Sequence, residues 1–222
     1  ILNKKRLIKI VNREKDIGFV PTMGSIHRGH LSLIKKSNST CEKTLVTIFI
    51  NKPQFNKKKD YQKYPRNIKR DISLLKKSGT DYLYLPTERQ IYPRGKNNKL
   101  KINSFGKKLC GKFRPSHFIA VVDVIDRFIK IIKPSKIFLG EKDMQQLKIV
   151  EDFVKKRKIK TRVIKCKTIR EKNGIAHSSR NNLLSLNQKT IASKIYKMIT
   201  KNKKKIKINR KLIKKIKKEM YK

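Results

Sequence analysis

Apolar positions along the chain gather into short runs bounded by turn residues, and these runs alternate with stretches of helical spacing. Ile17 to Pro21, Leu45 to Ile50, Tyr82 to Leu85, Ile137 to Leu139 and Thr161 to Lys165 read as strands. Leu31 to Ser37, Ile68 to Lys77, Ile119 to Ile132 and Gln145 to Lys156 fill the gaps as helices. The alternation predicts an α/β fold, a doubly wound parallel sheet covered by helices on both faces. Ligands of such sheets sit beyond the carboxyl ends of the strands. The segments richest in chemistry lie where that rule asks: His27 and His30 follow the first strand, Asn51 and Gln54 the second, and Gly140-Glu141-Lys142-Asp143 the fourth.

The segment after the first strand, Pro21-Thr22-Met23-Gly24-Ser25-Ile26-His27-Arg28-Gly29-His30, reads as a grip for a nucleoside triphosphate. Gly24 and Gly29 let backbone approach a ligand closely, and Leu31, Leu33 and Ile34 begin a helix whose N-terminus would face phosphate. His27 and His30, three residues apart, project to one side, where imidazole donors could hold an α-phosphate as it becomes five-coordinate. Context is what separates this from a chance H-x-G-H, since the motif stands after a strand and before a helix.

Weaker signals follow. Asn51-Lys52-Pro53-Gln54-Phe55 is a turn whose two amides either hydrogen-bond a small polar substrate or satisfy loop backbone. Tyr64-Pro65-Arg66 introduces the helix carrying Asp71, the residue taken as the candidate Mg²⁺ ligand. At Gly140 to Asp143, Lys142 is placed to meet phosphate and Asp143 a metal-bound phosphate. Gln145 and Gln146 open the next helix, and only one of them is expected to face the site. Arg170 to Asn181 sets small hydroxyl residues beside an Arg after a flexible turn, either a loop that closes over pyrophosphate or a plain Ser-rich linker.

Composition changes the picture less than its extremity suggests. The formal charge is +46 over 222 residues, which first suggests nucleic acid or an anionic membrane surface. The excess is 47 Lys against 14 Arg, smeared along the chain among abundant Ile and Asn, a pattern that A/T-rich codons would produce. There is no Trp and aromatics make up 7%, poor material for base stacking. Beyond Lys201, Leu212, Ile213, Ile216 and Met220 would form one stripe of a basic amphipathic helix, docked on the body or lying on a membrane or RNA. Apolar runs are too short to span a bilayer, and no signal-peptide pattern opens the sequence, so the expected compartment is the cytoplasm. Cys41, Cys110 and Cys166 are odd in number and far apart, which supports neither a disulfide frame nor a zinc site.

Taken in order, six separated segments resemble the pantoate–β-alanine ligase (pantothenate synthetase) family of the H-x-G-H nucleotidyltransferase superfamily. They are Pro21-Thr22-Met23-Gly24-x-x-His27-x-Gly29-His30, Phe49-x-Asn51-x-x-Gln54-Phe55, Tyr64-Pro65-Arg66, Arg114-Pro115-Ser116-His117-Phe118, Gly140-Glu141-Lys142-Asp143-x-Gln145-Gln146 and Ser178-Ser179-Arg180-Asn181. The resemblance implies a Rossmann-like domain over 1–167 and a shortened C-terminal lid domain over 168–222. It implies ATP-dependent condensation of pantoate with β-alanine through an enzyme-bound pantoyl adenylate, with Mg²⁺ bridging phosphates, and a homodimer that binds neither specific nucleic acid nor membrane.

The same resemblance assigns residues. Met23, Gly24, Ser25, Ile26, His27, Arg28, Gly29 and His30 would form the first ATP loop, with His30 the proton donor. Gly140, Glu141, Lys142 and Asp143 would form the second, and His177, Ser178, Ser179 and Arg180 the third, with Ile169 near the adenine. Gln54, Gln146 and Asn51 would hold substrate. His27, His30, Lys142, Ser178, Ser179 and Arg180 would stabilise charge during transfer.

The chain departs from the family pattern at Lys52, Cys110, Ser116, Asn173 and His177, where Pro, Glu, Gly, Asp and an apolar residue are usual. Ser116 adds a Cβ where backbone in that motif calls for Gly. Only 42 residues follow Arg180, about half the usual C-terminal domain, so bound adenylate is expected to be less well shielded from water. Two other readings stand beside the ligase: an eroded, weakly active relative, and a basic nucleic-acid-binding protein whose affinity would fall steeply with salt.

Overall fold

The computed structural model describes residues 1–97 and 99–206, and the side chains of all of these but 203–206. The basic stripe at Leu212, Ile213, Ile216 and Met220 lies outside the described residues. The elements run α1 (Lys4–Arg13), β1 (Ile17–Thr22), α2 (Arg28–Asn38), β2 (Lys43–Ile48), α3 (Lys58–Gln62), α4 (Ile68–Lys77), β3 (Tyr82–Tyr84), α5 (Glu88–Ile91), α6 (Cys110–Phe113), α7 (His117–Ile132), β4 (Lys136–Gly140), α8 (Met144–Lys156), β5 (Arg162–Cys166) and α9 (Leu186–Ile206). Short 3₁₀ turns interrupt the connections at Lys52–Gln54, Ser104–Lys107, Glu141–Asp143 and Ser179–Leu183.

Ile1–Thr168 and Ile169–Lys222 are separate compact units. In the first, five parallel strands pair in the order β3-β2-β1-β4-β5, the doubly wound Rossmann-like arrangement. Each strand-helix-strand crossover returns the chain in the same direction, and helices therefore cover both faces. One apolar layer joins Phe19, Leu45 and Ile137 of the sheet to Val121, Ile125 and Phe128 of α7 and to Val150 of α8. The opposite layer joins Val20, Val46 and Phe138 to Ile34 of α2 and Leu75 of α4. Alternate residues along a strand thus feed opposite cores. Gly18 allows α2 to lie directly on β1, because a Cβ there would collide with Ser37 Oγ and come 2.9 Å from Cys41 Sγ.

The order of winding reverses between β1 and β4. Those two strands pair at Gly18↔Lys136 and Phe19↔Ile137, whereas β1 and β2 stay in register from Ile17↔Lys43 to Thr22↔Ile48. Beyond Phe19 the ladder between β1 and β4 ends, and the loops that follow the two strands leave from either side of that opening. In a sheet of this type the crevice at the switch point is where ligands bind.

In the second unit Arg170 and Ala176 bridge an antiparallel turn. Gly174, at φ +91, sits against Tyr196 of α9, where a Cβ would collide with the ring. Arg170 lies over the same ring at 4.1 Å, and Ser193 Oγ donates to Asn173 O at 2.6 Å. Among the described residues no helix is long and apolar enough to cross a membrane.

Candidate active site

Gly24, at φ +82, and Ser25, at φ 52, turn the chain sharply after β1 and aim the amides of Ser25 and Ile26 into the protein. Asp71 of α4 meets them: Ser25 N donates to Oδ2 at 2.7 Å and Ile26 N to Oδ1 at 2.8 Å. Asp71 is 1% exposed, a burial that a carboxylate tolerates only when its oxygens are hydrogen-bonded. The candidate Mg²⁺ ligand is corrected accordingly, since the structure gives both oxygens of Asp71 to the loop backbone. Among the described residues no three His, Cys, Asp or Glu side chains gather as metal ligands would. Arg70 adds a donor from the same helix, its guanidinium 3.5 Å from Ile26 O.

Thus held, the loop delivers both histidines to the start of α2. His27 is the N-cap, its Nδ1 accepting from Gly29 N at 3.1 Å, which puts the ring proton on Nε2. The His27 and His30 rings stack with centroids 3.9 Å apart and planes 19° from parallel. His30 Nδ1 is sealed from solvent and has no hydrogen-bond partner among the described residues. Desolvation, with His27 and then the Lys142 ammonium adding to it, lowers the His30 pKa from 6.5 to about 3. His30 is therefore a neutral hydrogen-bonding imidazole near pH 7 until an anion arrives. Lys142, on the loop after β4, is close enough to act on His30 electrostatically and also pairs with Asp143 at 3.0 Å. Lys142 follows β4 and the first loop follows β1, so the two leave the sheet on either side of the switch point, within electrostatic reach of each other.

The amides of Asn51 and Gln54, expected from sequence to hold substrate, are joined to the same region. Asn51 Nδ2 donates to Gln54 Oε1 and to Ala120 O, both at 3.1 Å. Gln54 Nε2 lies 3.1 Å from Met23 Sδ, which ties it to the start of the loop after β1. The Gln54 carbonyl is held in turn by His117 Nδ1 at 2.7 Å and by Arg114. Of the two glutamines on α8, Gln145 is buried and works internally, donating to Phe105 O and Lys108 O and accepting from Cys110 N. Gln146 is partly exposed and makes none of those bonds. Arg28 and Asp143 are exposed, while Gly140, Glu141 and Gly29 are partly covered.

The remaining candidates belong to the second unit. His177 N donates to Ile169 O at 3.0 Å, and Ser178 Oγ caps the turn by accepting from Arg180 N at 3.3 Å. Ser179 is buried, and Asn181 Nδ2 donates to Glu171 at 2.6 Å and to Ala176 O at 3.0 Å. Those bonds fix the shape of the Ser178 to Asn181 turn locally.

Sequence reasoning missed what three residues near the site do. Spacing alone does not show that the Asp71 carboxylate faces backbone amides 45 and 46 residues upstream rather than a metal. His117 stood inside a recognised motif without an assignment. Tyr92, in a Tyr-Pro-x-Gly turn, carried only a turn signal, yet its hydroxyl reaches Asn51 Oδ1 at 2.7 Å.

A profile of the pantoate–β-alanine ligase family matches residues 2–222. The pantothenate synthetase of Francisella tularensis subsp. novicida is 42% identical over 203 residues, covering 89% of this chain and 77% of that protein. That of Pseudothermotoga lettingae is 40% identical over 188 residues, covering 85% and 67%. Among solved structures, the enzyme of Thermus thermophilus superposes with a TM-score of 0.83 at 32% identity, over 90% of this chain and 72% of that one. Pantoate–β-alanine ligase from Francisella tularensis, solved with β,γ-ATP and β-alanine, gives 0.82 at 40% identity over 89% and 77%. With a profile match over nearly its whole length and relatives at this identity, the chain belongs to the pantoate–β-alanine ligase family.

Proposed function

We propose that this chain joins pantoate to β-alanine at the expense of ATP, by way of pantoyl adenylate. The observation that carries the reading is the Asp71-braced H-x-G-H loop at the reversal between β1 and β4, with Lys142 on the loop after β4 within electrostatic reach of His30. A triphosphate there would face the N-terminus of α2, two imidazoles and an ammonium, all favourable to negative charge.

In the first half-reaction a pantoate carboxylate oxygen attacks the α-phosphorus and the bond to the β-phosphate breaks, releasing pyrophosphate. His27, His30 and Lys142 would stabilise the charge that builds on the phosphoryl oxygens. Approaching phosphate anions favour the protonated form of His30, reversing the effect of its surroundings in the free protein. Gln54 and Gln146 would hold pantoate, with Asn51 setting Gln54. In the second half-reaction the β-alanine amine attacks the acyl carbon, AMP departs with its phosphate oxygen, and the amine loses a proton. No bond to the enzyme forms, so the catalytic contribution is positioning and charge stabilisation.

Mg²⁺ enters this reading on the triphosphate rather than in a cage of side chains, consistent with its preference for phosphate oxygens, water and one or two carboxylates. Asp143 would be its nearest protein partner. Ser178, Ser179 and Arg180 would meet the departing pyrophosphate, and Ile169 and His177 the nucleotide. The protein would act in the cytoplasm as a homodimer, with nucleic acid no part of its role.

The test is pantoate-dependent exchange of labelled pyrophosphate into ATP. Exchange in the wild type and its loss in His30→Ala and Lys142→Ala are expected; exchange that is independent of pantoate, or indifferent to both changes, overturns the proposal.

A further inference from the structure

Gln54 sits at the end of a chain of buried polar groups whose polarity follows from chemistry. Ala120 contributes a backbone carbonyl, which can only accept, so the Asn51 group 3.1 Å from it is the NH₂. That fixes Oδ1 on the opposite side, facing Tyr92 Oη at 2.7 Å, so the phenol must donate. Burial first, and the charge of Asp123 second, push the Tyr92 pKa above its ordinary value, so the donated proton is retained. The second Asn51 hydrogen points at Gln54 Oε1. Gln54 is left with its Nε2 directed to Met23 Sδ at 3.1 Å, a weak acceptor that a ligand oxygen readily displaces.

We infer that Tyr92 is a positioning residue for the hydroxy-acid substrate: through Asn51 it locks Gln54 into presenting its NH₂, so that the site selects an oxygen acceptor on pantoate. The inference rests on the reading of Gln54 as a pantoate contact. Tyr92 is itself fixed from α7, where Arg127 lies 4.5 Å over its ring and donates to the carbonyls of Ile91 at 2.8 Å and Gly95 at 2.9 Å. Asn51 is only 2% exposed, so without the phenol its Oδ1 is a buried acceptor with no donor. Such a group turns in search of a partner, and the Gln54 amide turns with it.

The test is Tyr92→Phe, alone and combined with Gln54→Ala. In pyrophosphate exchange the single variant is expected to raise KM for pantoate about tenfold, as loss of one buried hydrogen bond would, while KM for ATP moves less than about twofold. In the Gln54→Ala background the same change is expected to add nothing. Equal effects on both substrates, or a full tenfold effect without Gln54, overturn the inference and mark Tyr92 as structural only. Wild-type protein with no pantoate-dependent exchange would instead sink the functional reading. In that event, or if Tyr92→Phe fails to fold, neutron diffraction from deuterated wild-type crystals decides. Deuterons on Tyr92 Oη toward Asn51 and on Gln54 Nε2 toward Met23 support the relay; a Gln54 oxygen facing Met23 overturns it.

Discussion

Asp71 reaches from α4 to the loop after β1 and accepts the backbone amide of Ser25 at 2.7 Å, with Ile26 bound beside it at 2.8 Å. The placement of His27 and His30 depends on that clasp, because the amides of Ser25 and Ile26 have no other described acceptor. Asp71→Asn keeps one acceptor and turns an NH₂ group toward an amide that can only donate. A loss of about 1.5–3 kcal/mol of stability is expected, the usual range for a hydrogen bond to a charged group. KM for ATP should rise, and raising Mg²⁺ should restore nothing. Recovery of activity at high Mg²⁺ would return Asp71 to the role of metal ligand.

Gln145 and Gln146 are neighbours in sequence with opposite expected phenotypes. Gln145 holds Phe105 O, Lys108 O and Cys110 N; in Gln145→Ala the two carbonyls keep the amides of Lys108 and Gly111, while the Cys110 amide loses its acceptor, so the substitution removes one partner from each. It should lower Tm by several degrees and loosen the 105–110 segment, seen as faster amide exchange there. Gln146→Ala should leave Tm nearly unchanged and raise KM for pantoate. The reverse pattern would exchange their roles.

Ser116, the N-cap of α7, lies in the left-handed region at φ 62, and its side chain makes no capping bond. A non-glycine residue there carries strain of about 1–2 kcal/mol. Glycine gives back part of this through its larger unfolded-state entropy, leaving an expected net gain of about 0.5–1 kcal/mol for Ser116→Gly. In a chain of this size that is a rise in Tm of about 1–4 °C by calorimetry. A fall in Tm would mean the hydroxyl does something the fold does not reveal.

The sheet was legible because its strands are short runs of apolar and β-branched residues bounded by turns in a chain otherwise crowded with lysine. All five lie within two residues of where hydrophobic patterning put them. Lys4–Arg13 escaped notice because only Leu7 and Val11 of that helix are buried, one thin stripe among charged residues. Tertiary packing, rather than local pattern, decides its conformation. The site divides the same way. Residues in motifs next to a strand end could be named from sequence, since the fold rule says where ligands bind. Asp71, Tyr92 and His117 act through contacts with residues 45, 41 and 63 positions away, and no local spacing encodes those pairings.

His30 should make folding stability depend on pH. In the folded protein its pKa is depressed to about 3, whereas in the unfolded chain it titrates near 6.5. Between those values the unfolded state binds the extra proton, so stability rises with pH through the window and falls as pH drops below about 6.5. The slope has a ceiling of about 1.4 kcal/mol per pH unit, the value for one proton taken up on unfolding. Urea titrations at about pH 7 and about pH 5, either side of the unfolded-chain value, should show wild type losing more stability than His30→Gln, which has no titrating group there. Saturating ATP should shrink the difference, because its phosphates favour the charged ring. Equal pH dependence in the two proteins would show that His30 stays solvated and that the crevice is open to water.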